Sequence, residues 1–215
     1  MIKIKKFIFN QFQVNTYVLY DETKECVIID AGCNDENEKQ ELIDYIKTQE
    51  LKPVRLLYTH CHIDHIIGNT FVAKTYNLLP EIHQAGLVFL QLSKEHAESF
   101  GFEIDEIVLP KKYINEKDII KFGNSELEVI YTPGHADGSI CFINKEQKII
   151  FSGDVLFYGS IGRTDLPTGN YKLLMENINS KLLVFDDDFT VYCGHGSETT
   201  IGFERKNNPY FEMDI

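Results

Sequence analysis

Residues 59–65 read Thr-His-Cys-His-Ile-Asp-His, and no other stretch limits the fold so tightly. The run follows a short apolar stretch, VRLLY at 54–58, that reads as a strand. It leads into 65–77, which suits a helix. His60 and His62, two apart at an extended strand end, point the same way, and Asp64 and His65 come after the chain has begun to turn. Imidazole and carboxylate are the ligands that zinc and similar divalent ions accept. Four such groups facing two directions suggest two metal ions rather than one.

A donor set at one strand end needs partners from elsewhere. His135 follows LEVIY in the stretch Thr132-Pro133-Gly134-His135. Asp154 follows KIIF in Ser152-Gly153-Asp154, and His195 follows TVY in Cys193-Gly194-His195. Each comes after an apolar strand and directly after a glycine, which permits tight turns and close approach. Four strand ends would therefore deliver ligands to one sheet edge. His83 and His96 lack this context and read as surface or helix-face histidines. Cys61 alternates with its histidine neighbours and is expected to pack inward.

The remaining chain alternates between strand-like runs at 2–9, 14–20, 26–30, 119–122, 127–131, 140–143, 148–152 and 189–193 and helix-like segments at 34–49, 84–99 and 171–184. That order predicts mixed sheets covered by helices, an α/β or α+β layering. The longest apolar runs are four or five residues, far short of the roughly 20 that a membrane helix needs. The N-terminus lacks a signal-peptide pattern, so a cytoplasmic protein is expected. A net charge of −12 disfavours nucleic-acid partners, and five scattered cysteines read as reduced thiols.

Asp30 in IIDAG, the run THCHIDH, His135 in TPGH, Asp154 in SGD and His195 in GH together resemble the metallo-β-lactamase superfamily. The resemblance implies an αββα sandwich, one such domain over 1–215, with a metal site at one edge of the two sheets. It also implies a ligand set: His60, His62 and His135 for one divalent ion, Asp64, His65 and His195 for the other, and Asp154 between them. Zinc is the first expectation, with iron or manganese as alternatives. Asp30 would support the site by hydrogen bonds, and Asp64, Asp154 and Asp30 are the carboxylates on which catalysis would depend. Two such ions can share a hydroxide that attacks a carbonyl carbon.

Within the superfamily, FSGDVLFYGSIGRTDLP at 151–167 is similar to glyoxalase II, hydroxyacylglutathione hydrolase. This implies a thioesterase acting on S-lactoylglutathione or a related small-molecule thioester, with Arg163 and Tyr158 as expected substrate contacts. A structural ion pair with Asp165 is the competing reading of Arg163. The sequence runs 20 residues past His195, so the C-terminal helical region through which glyoxalase II contacts glutathione is not expected here. The GRTD stretch also resembles persulfide dioxygenases, which would use His60, His135 and Asp154 for one iron; the full second set favours the hydrolase. A secreted β-lactamase is disfavoured by the missing export signal. A non-catalytic metal-binding protein is the remaining alternative.

Overall fold

The computed structural model describes residues 1–211. In chain order the strands and α-helices are β1 (Lys3–Phe9), β2 (Val14–Tyr20), β3 (Glu25–Ile29), α1 (Glu36–Thr48), β4 (Lys52–Leu57), α2 (Ile63–Ile66), α3 (Asn69–Tyr76), β5 (Pro80–Glu81), α4 (Leu87–Gln91), α5 (Ser93–Ser99), β6 (Ile119–Phe122), β7 (Ser125–Tyr131), β8 (Ile140–Asn144), β9 (Ile149–Gly153), β10 (Leu156–Phe157), β11 (Ser160–Ile161), α6 (Tyr171–Asn177), β12 (Thr190–Cys193), β13 (Thr199–Thr200) and α7 (Ile201–Asn207). One sheet has the order β1-β2-β3-β4-β5, the other β13-β12-β9-β8-β7-β6, and β10 with β11 forms a small hairpin.

Strand alternation explains the layers. Tyr17 and Leu19 of β2, Val27 and Ile29 of β3, Ile140 and Phe142 of β8, and Ile149 and Phe151 of β9 share one apolar cluster between the sheets. Their neighbours point outward. Val18, Cys26 and Ile28 join Leu42 and Ile46 of α1 and Val72 of α3 on one outer face. Cys141, Ile143 and Ile150 join Leu174 of α6 and Ile201 of α7 on the other. Both faces of each central strand are thus covered, so β2 and β8 are buried at every residue. The result is the αββα sandwich.

Several expected elements are modified. The helix expected over 84–99 is broken into a 3₁₀ turn, α4 and α5, and the one over 171–184 widens into a π turn at Ile178–Leu182. The helix over 65–77 is two pieces, α2 and α3. The strand expected to run up to the histidines ends at Leu57, and 58–62 is irregular chain. Four two-residue strands and α7 were not foreseen, because two residues carry no periodicity.

One buried carboxylate clips the sheets together at the end of β2. Asp21 is 1% exposed. It accepts hydrogen bonds from Thr23 N and Oγ1 and, across the sandwich, from Asn124 N and Ser125 Oγ at the β6–β7 turn. Desolvation opposes its ionisation, but the bonds from Thr23, Ser125 and Asn124 outweigh it and hold the carboxyl below its ordinary pKa. Its folded pKa therefore lies below the unfolded one, so its contribution is present above the unfolded value, about 3.9, and lost as pH falls through the folded value. Asp21→Asn is expected to cost about 1–3 kcal/mol, because mismatched donors are left without an acceptor. Urea unfolding at pH 7 and pH 3 should show the gap between the proteins narrowing in acid.

Candidate metal centre

The topology gathers the chemistry at one edge. β3 runs parallel to β4, and β12 runs parallel to β9. β7 and β9 both lie antiparallel to β8, so they too share a direction. The segments leaving these five strands carry Asp30, His60 and His62, His135, Asp154, and His195 respectively. Asp64 and His65 lie on the single turn α2, whose first flanking residue is His62. The two sheets are tied at this edge by Asn15 N to Gly194 O and Ile140 N to Thr59 O, while Gly194 N donates to Gly153 O within the second sheet.

The donor atoms fall into three overlapping groups, His60–His62–His135, His60–His65–Asp154 and Asp64–His65–His195, each with its ligand atoms within 4.8 Å of one another. His62 Nδ1 lies 3.2 Å from His60 Nε2 and 2.9 Å from His135 Nε2. His195 Nε2 is 3.1 Å from Asp64 Oδ2. Asp154 Oδ2 stands between the sets, 3.6 Å from both His135 Nε2 and His195 Nε2. Asp154 Oδ1 is 3.3 Å from His65 Nε2.

The outer nitrogens fix where the protons are. His135 Nδ1 donates to the Arg163 carbonyl at 2.7 Å, and His195 Nδ1 to the Phe12 carbonyl at 3.0 Å. Carbonyls only accept, so both nitrogens carry protons and both Nε2 atoms offer lone pairs inward. Thr59 Oγ1 donates to Asp30 Oδ2 and so receives His60 Nδ1, while His65 Nδ1 donates to Asp30 Oδ2 at 3.0 Å. Four imidazoles thus turn Nε2 lone pairs toward shared points. The buried atoms His65 Nε2 and Asp154 Oδ1 have no hydrogen-bond partner. Convergent lone pairs and an orphaned carboxylate oxygen fit divalent cations, with His60, His65, His135 and His195 each held by an outer hydrogen bond as metal-binding histidines usually are.

The electrostatics agree. Burial, reinforced by the neighbouring histidines, pushes His60 well below the ordinary imidazole range and His62 down to about 3, so both stay neutral and able to ligate. Burial disfavours charge on His65 too, but Asp154, Asp64 and Asp30 outweigh it and push its pKa well up, so without a cation His65 carries a second proton on Nε2, in the place a divalent ion would take. At Asp154 burial is likewise overcome, chiefly by His65, which holds the carboxyl well below its usual range; Asp64 is lowered for a similar reason. These carboxylates call for positive charge in their midst. Cys61 is buried and its thiol is pushed far up by desolvation, so it packs rather than reacts.

Two glycines make the close approach possible. Gly153 has φ +52°, and a Cβ there would meet Thr59 Oγ1 at 2.3 Å. A Cβ at Gly194 would lie 2.1 Å from Asp154 Oδ1 and 2.9 Å from His65 Cε1. Gly194→Ala is expected to displace the Asp154 carboxylate and lower kcat/KM by about 100-fold, as misplacements near 1 Å do. Circular dichroism should show the fold retained, and wild-type turnover in this variant would contradict the packing argument.

A cavity of about 440 Å³ opens over the cluster. His62, Asp64, His135, Asp154 and His195 form its floor, and Phe12, Phe89, Phe100, Leu166 and Pro167 its walls. His96, expected as an ordinary helix-face histidine, also lines it. Nothing near His96 in sequence signals this placement. Arg163 reaches the cavity, yet its guanidinium is held by Asp165 through two bonds of 2.8 and 2.7 Å, so the ion-pair reading is the observed one. Tyr158 is 58% exposed. It does not line the cavity; its ring stacks on Phe203 of α7 at 4.6 Å, an aromatic partner 45 residues away in sequence.

The sequence profile of the metallo-beta-lactamase superfamily matches residues 9–195. Hydroxyacylglutathione hydrolase GloC of Haemophilus influenzae is 37% identical over 203 residues, covering 93% of each chain. The crystal structure of BLEG-1 B3 metallo-beta-lactamase superposes with a TM-score of 0.88 at 33% identity, over 97% of this chain and 99% of that one. The di-iron-bound form of TTHA1623 superposes with a TM-score of 0.85 at 32% identity, over 96% and 99%. Profile, sandwich and edge cluster agree, and the chain belongs to the metallo-beta-lactamase superfamily as a metal-dependent hydrolase.

Proposed function

We propose that this protein is a thioesterase of the glyoxalase II kind, acting on S-lactoylglutathione or a related small-molecule thioester. His60, His62 and His135 would hold one divalent ion and Asp64, His65 and His195 a second, with Asp154 reaching both. The observation that carries this reading is the proton arrangement: four histidines donate outward and turn Nε2 lone pairs into the cluster. The likeness to GloC supports the substrate class. The likeness to a di-iron structure supports a paired site, and zinc, iron and manganese all accept these ligands.

Such ions, when bound, would polarise a carbonyl oxygen and lower the pKa of bound water toward neutrality. The chain's own groups do the rest. No Ser, Thr, Cys or Lys is among the residues described as lining the cavity, and the Asp and His side chains on its floor are the ones that would hold the ions, which favours water as the attacking group. Asp64 and Asp154 are held ionised, which makes them acceptors at neutral pH rather than acids. That suits a thioester, whose thiolate leaves without a strong acid because thiols ionise near pH 8.5. His195 and His135 are fixed by the Phe12 and Arg163 carbonyls, which keeps their inward nitrogens in place. The buried free thiols fit the reducing cytoplasm.

A mononuclear iron dioxygenase would need only His60, His135 and Asp154; the close second set Asp64–His65–His195 supports the hydrolase instead. The test is elemental analysis of purified protein followed by a panel of thioesters, a persulfide and a β-lactam. Two ions per chain and thioester cleavage are expected. One iron per chain with sulfite formation, ring opening of the lactam alone, or loaded protein inert to every thioester would contradict the assignment.

A further inference from the structure

We infer that the cavity selects its substrate by an apolar acyl group, an aryl or bulky alkyl thioester, and not by the charged ends of the thiol carrier. The inference rests on the thioesterase reading and adds to it the substrate class. Three aromatic side chains from separate parts of the chain meet over the cluster. Phe12 lies in the turn between β1 and β2, Phe89 on α4 and Phe100 directly after α5. Phe12 packs edge-on against Phe100 at 5.5 Å, and the Phe89 ring lies edge-on to His62 at 5.2 Å. Leu166 and Pro167 add apolar surface to the lining.

These walls are tied to the chemistry. The Phe12 carbonyl accepts the His195 Nδ1 proton while its ring lines the cavity, so one residue both orients a ligand and forms a wall. Phe12 is 38% and Phe100 51% exposed, an amount of open aromatic surface that a bound apolar group would cover.

Polar recognition is scarce by comparison. Arg163 is the only Lys or Arg among the lining residues, and Asp165 occupies its fork. A carrier bearing carboxylates meets no free Lys or Arg side chain among the described lining residues, on a chain whose net charge is −12. The charged carrier is therefore left at the solvent mouth, and the acyl side enters against the rings.

Four substrates test this with metal-loaded protein: lactoyl and mandeloyl groups, each on glutathione and on N-acetylcysteamine. Both acyl groups carry the same α-hydroxyl and differ in methyl against phenyl. Mandeloyl is expected to exceed lactoyl in kcat/KM by at least about tenfold on either carrier, since even one methylene in an apolar pocket is worth roughly 10–200-fold. Changing the carrier should alter kcat/KM by less than about threefold, the order of a single weak surface contact. Phe100→Ala, at a half-exposed position that should not impair folding, should lower the mandeloyl-to-lactoyl ratio by at least about threefold, a fraction of one apolar contact. Preference for lactoyl, or a carrier effect larger than the acyl effect, overturns the inference while the thioesterase reading stands. Failure to cleave any of the four overturns both.

Discussion

Asp154→Ala is expected to reduce thioester hydrolysis by about 1,000-fold or more and to lower the ion content below two per chain. Among the described residues Asp154 is the one side chain with oxygens near both donor sets, at 3.6 Å from His135 Nε2 and His195 Nε2 through Oδ2 and 3.3 Å from His65 Nε2 through Oδ1. Removing a buried charge that compensates others costs about 3–5 kcal/mol, which corresponds to two to four factors of ten. Alanine also leaves His65 Nε2, already without a hydrogen-bond partner, facing no carboxylate from this strand. Asp154→Asn keeps the shape and removes the charge, so it should fail nearly as badly. Elemental analysis and kcat/KM at saturating zinc check both variants, with circular dichroism for the fold. Full ion content with near-normal turnover would mean that Asp154 does not join the two sets.

The second large effect is expected at Asp30→Asn, a residue that never reaches the cavity. Asp30 is buried and adopts φ +54°, a left-handed conformation that Asp tolerates better than most residues. Its Oδ1 accepts from Thr59 N at 2.7 Å, and its Oδ2 accepts from Thr59 Oγ1 at 2.6 Å and His65 Nδ1 at 3.0 Å. All three partners donate, and asparagine has one oxygen for them. With that oxygen on Thr59 N, the new amide N–H faces His65 Nδ1. His65 then either suffers two opposed donors or shifts its proton to Nε2, aimed at Asp154. The Asp64–His65–His195 set should lose about 10–100-fold in ion affinity, as loss of such outer partners usually does. The His60–His62–His135 set should lose less. Ion content measured across graded zinc buffers should show one ion retained and the other released first. Simultaneous release of both, or no change, would contradict the role assigned to Asp30.

The candidate ligands were legible because each sits where local sequence declares it. His60 to His65 are contiguous, and His135, Asp154 and His195 each follow an apolar strand and a glycine. Gly194 shows why the glycine is there, since any Cβ would strike Asp154. Asp30 gave a weaker signal, a carboxylate at a strand end, and its hydrogen bonds to Thr59 and His65 emerge only when β3 and β4 lie side by side. The cavity walls were not legible. Phe12, Phe89 and Phe100 come from a hairpin turn and from broken helices, with no shared period to link them. The stacking of Tyr158 on Phe203 was equally hidden, because Phe203 belongs to a helix that the sequence pattern did not reveal. The breaks within 84–99 were not legible either, since that stretch holds no Pro and no Gly other than Gly86.

Anomalous X-ray scattering from crystals of the metal-loaded protein tests the paired centre most directly. Two peaks about 3.5–4 Å apart are expected, the spacing of paired-ion hydrolases. One should contact His60, His62 and His135, the other Asp64, His65 and His195, with Asp154 touching both. A single peak against His60, His135 and Asp154, or peaks away from these seven side chains, would contradict it.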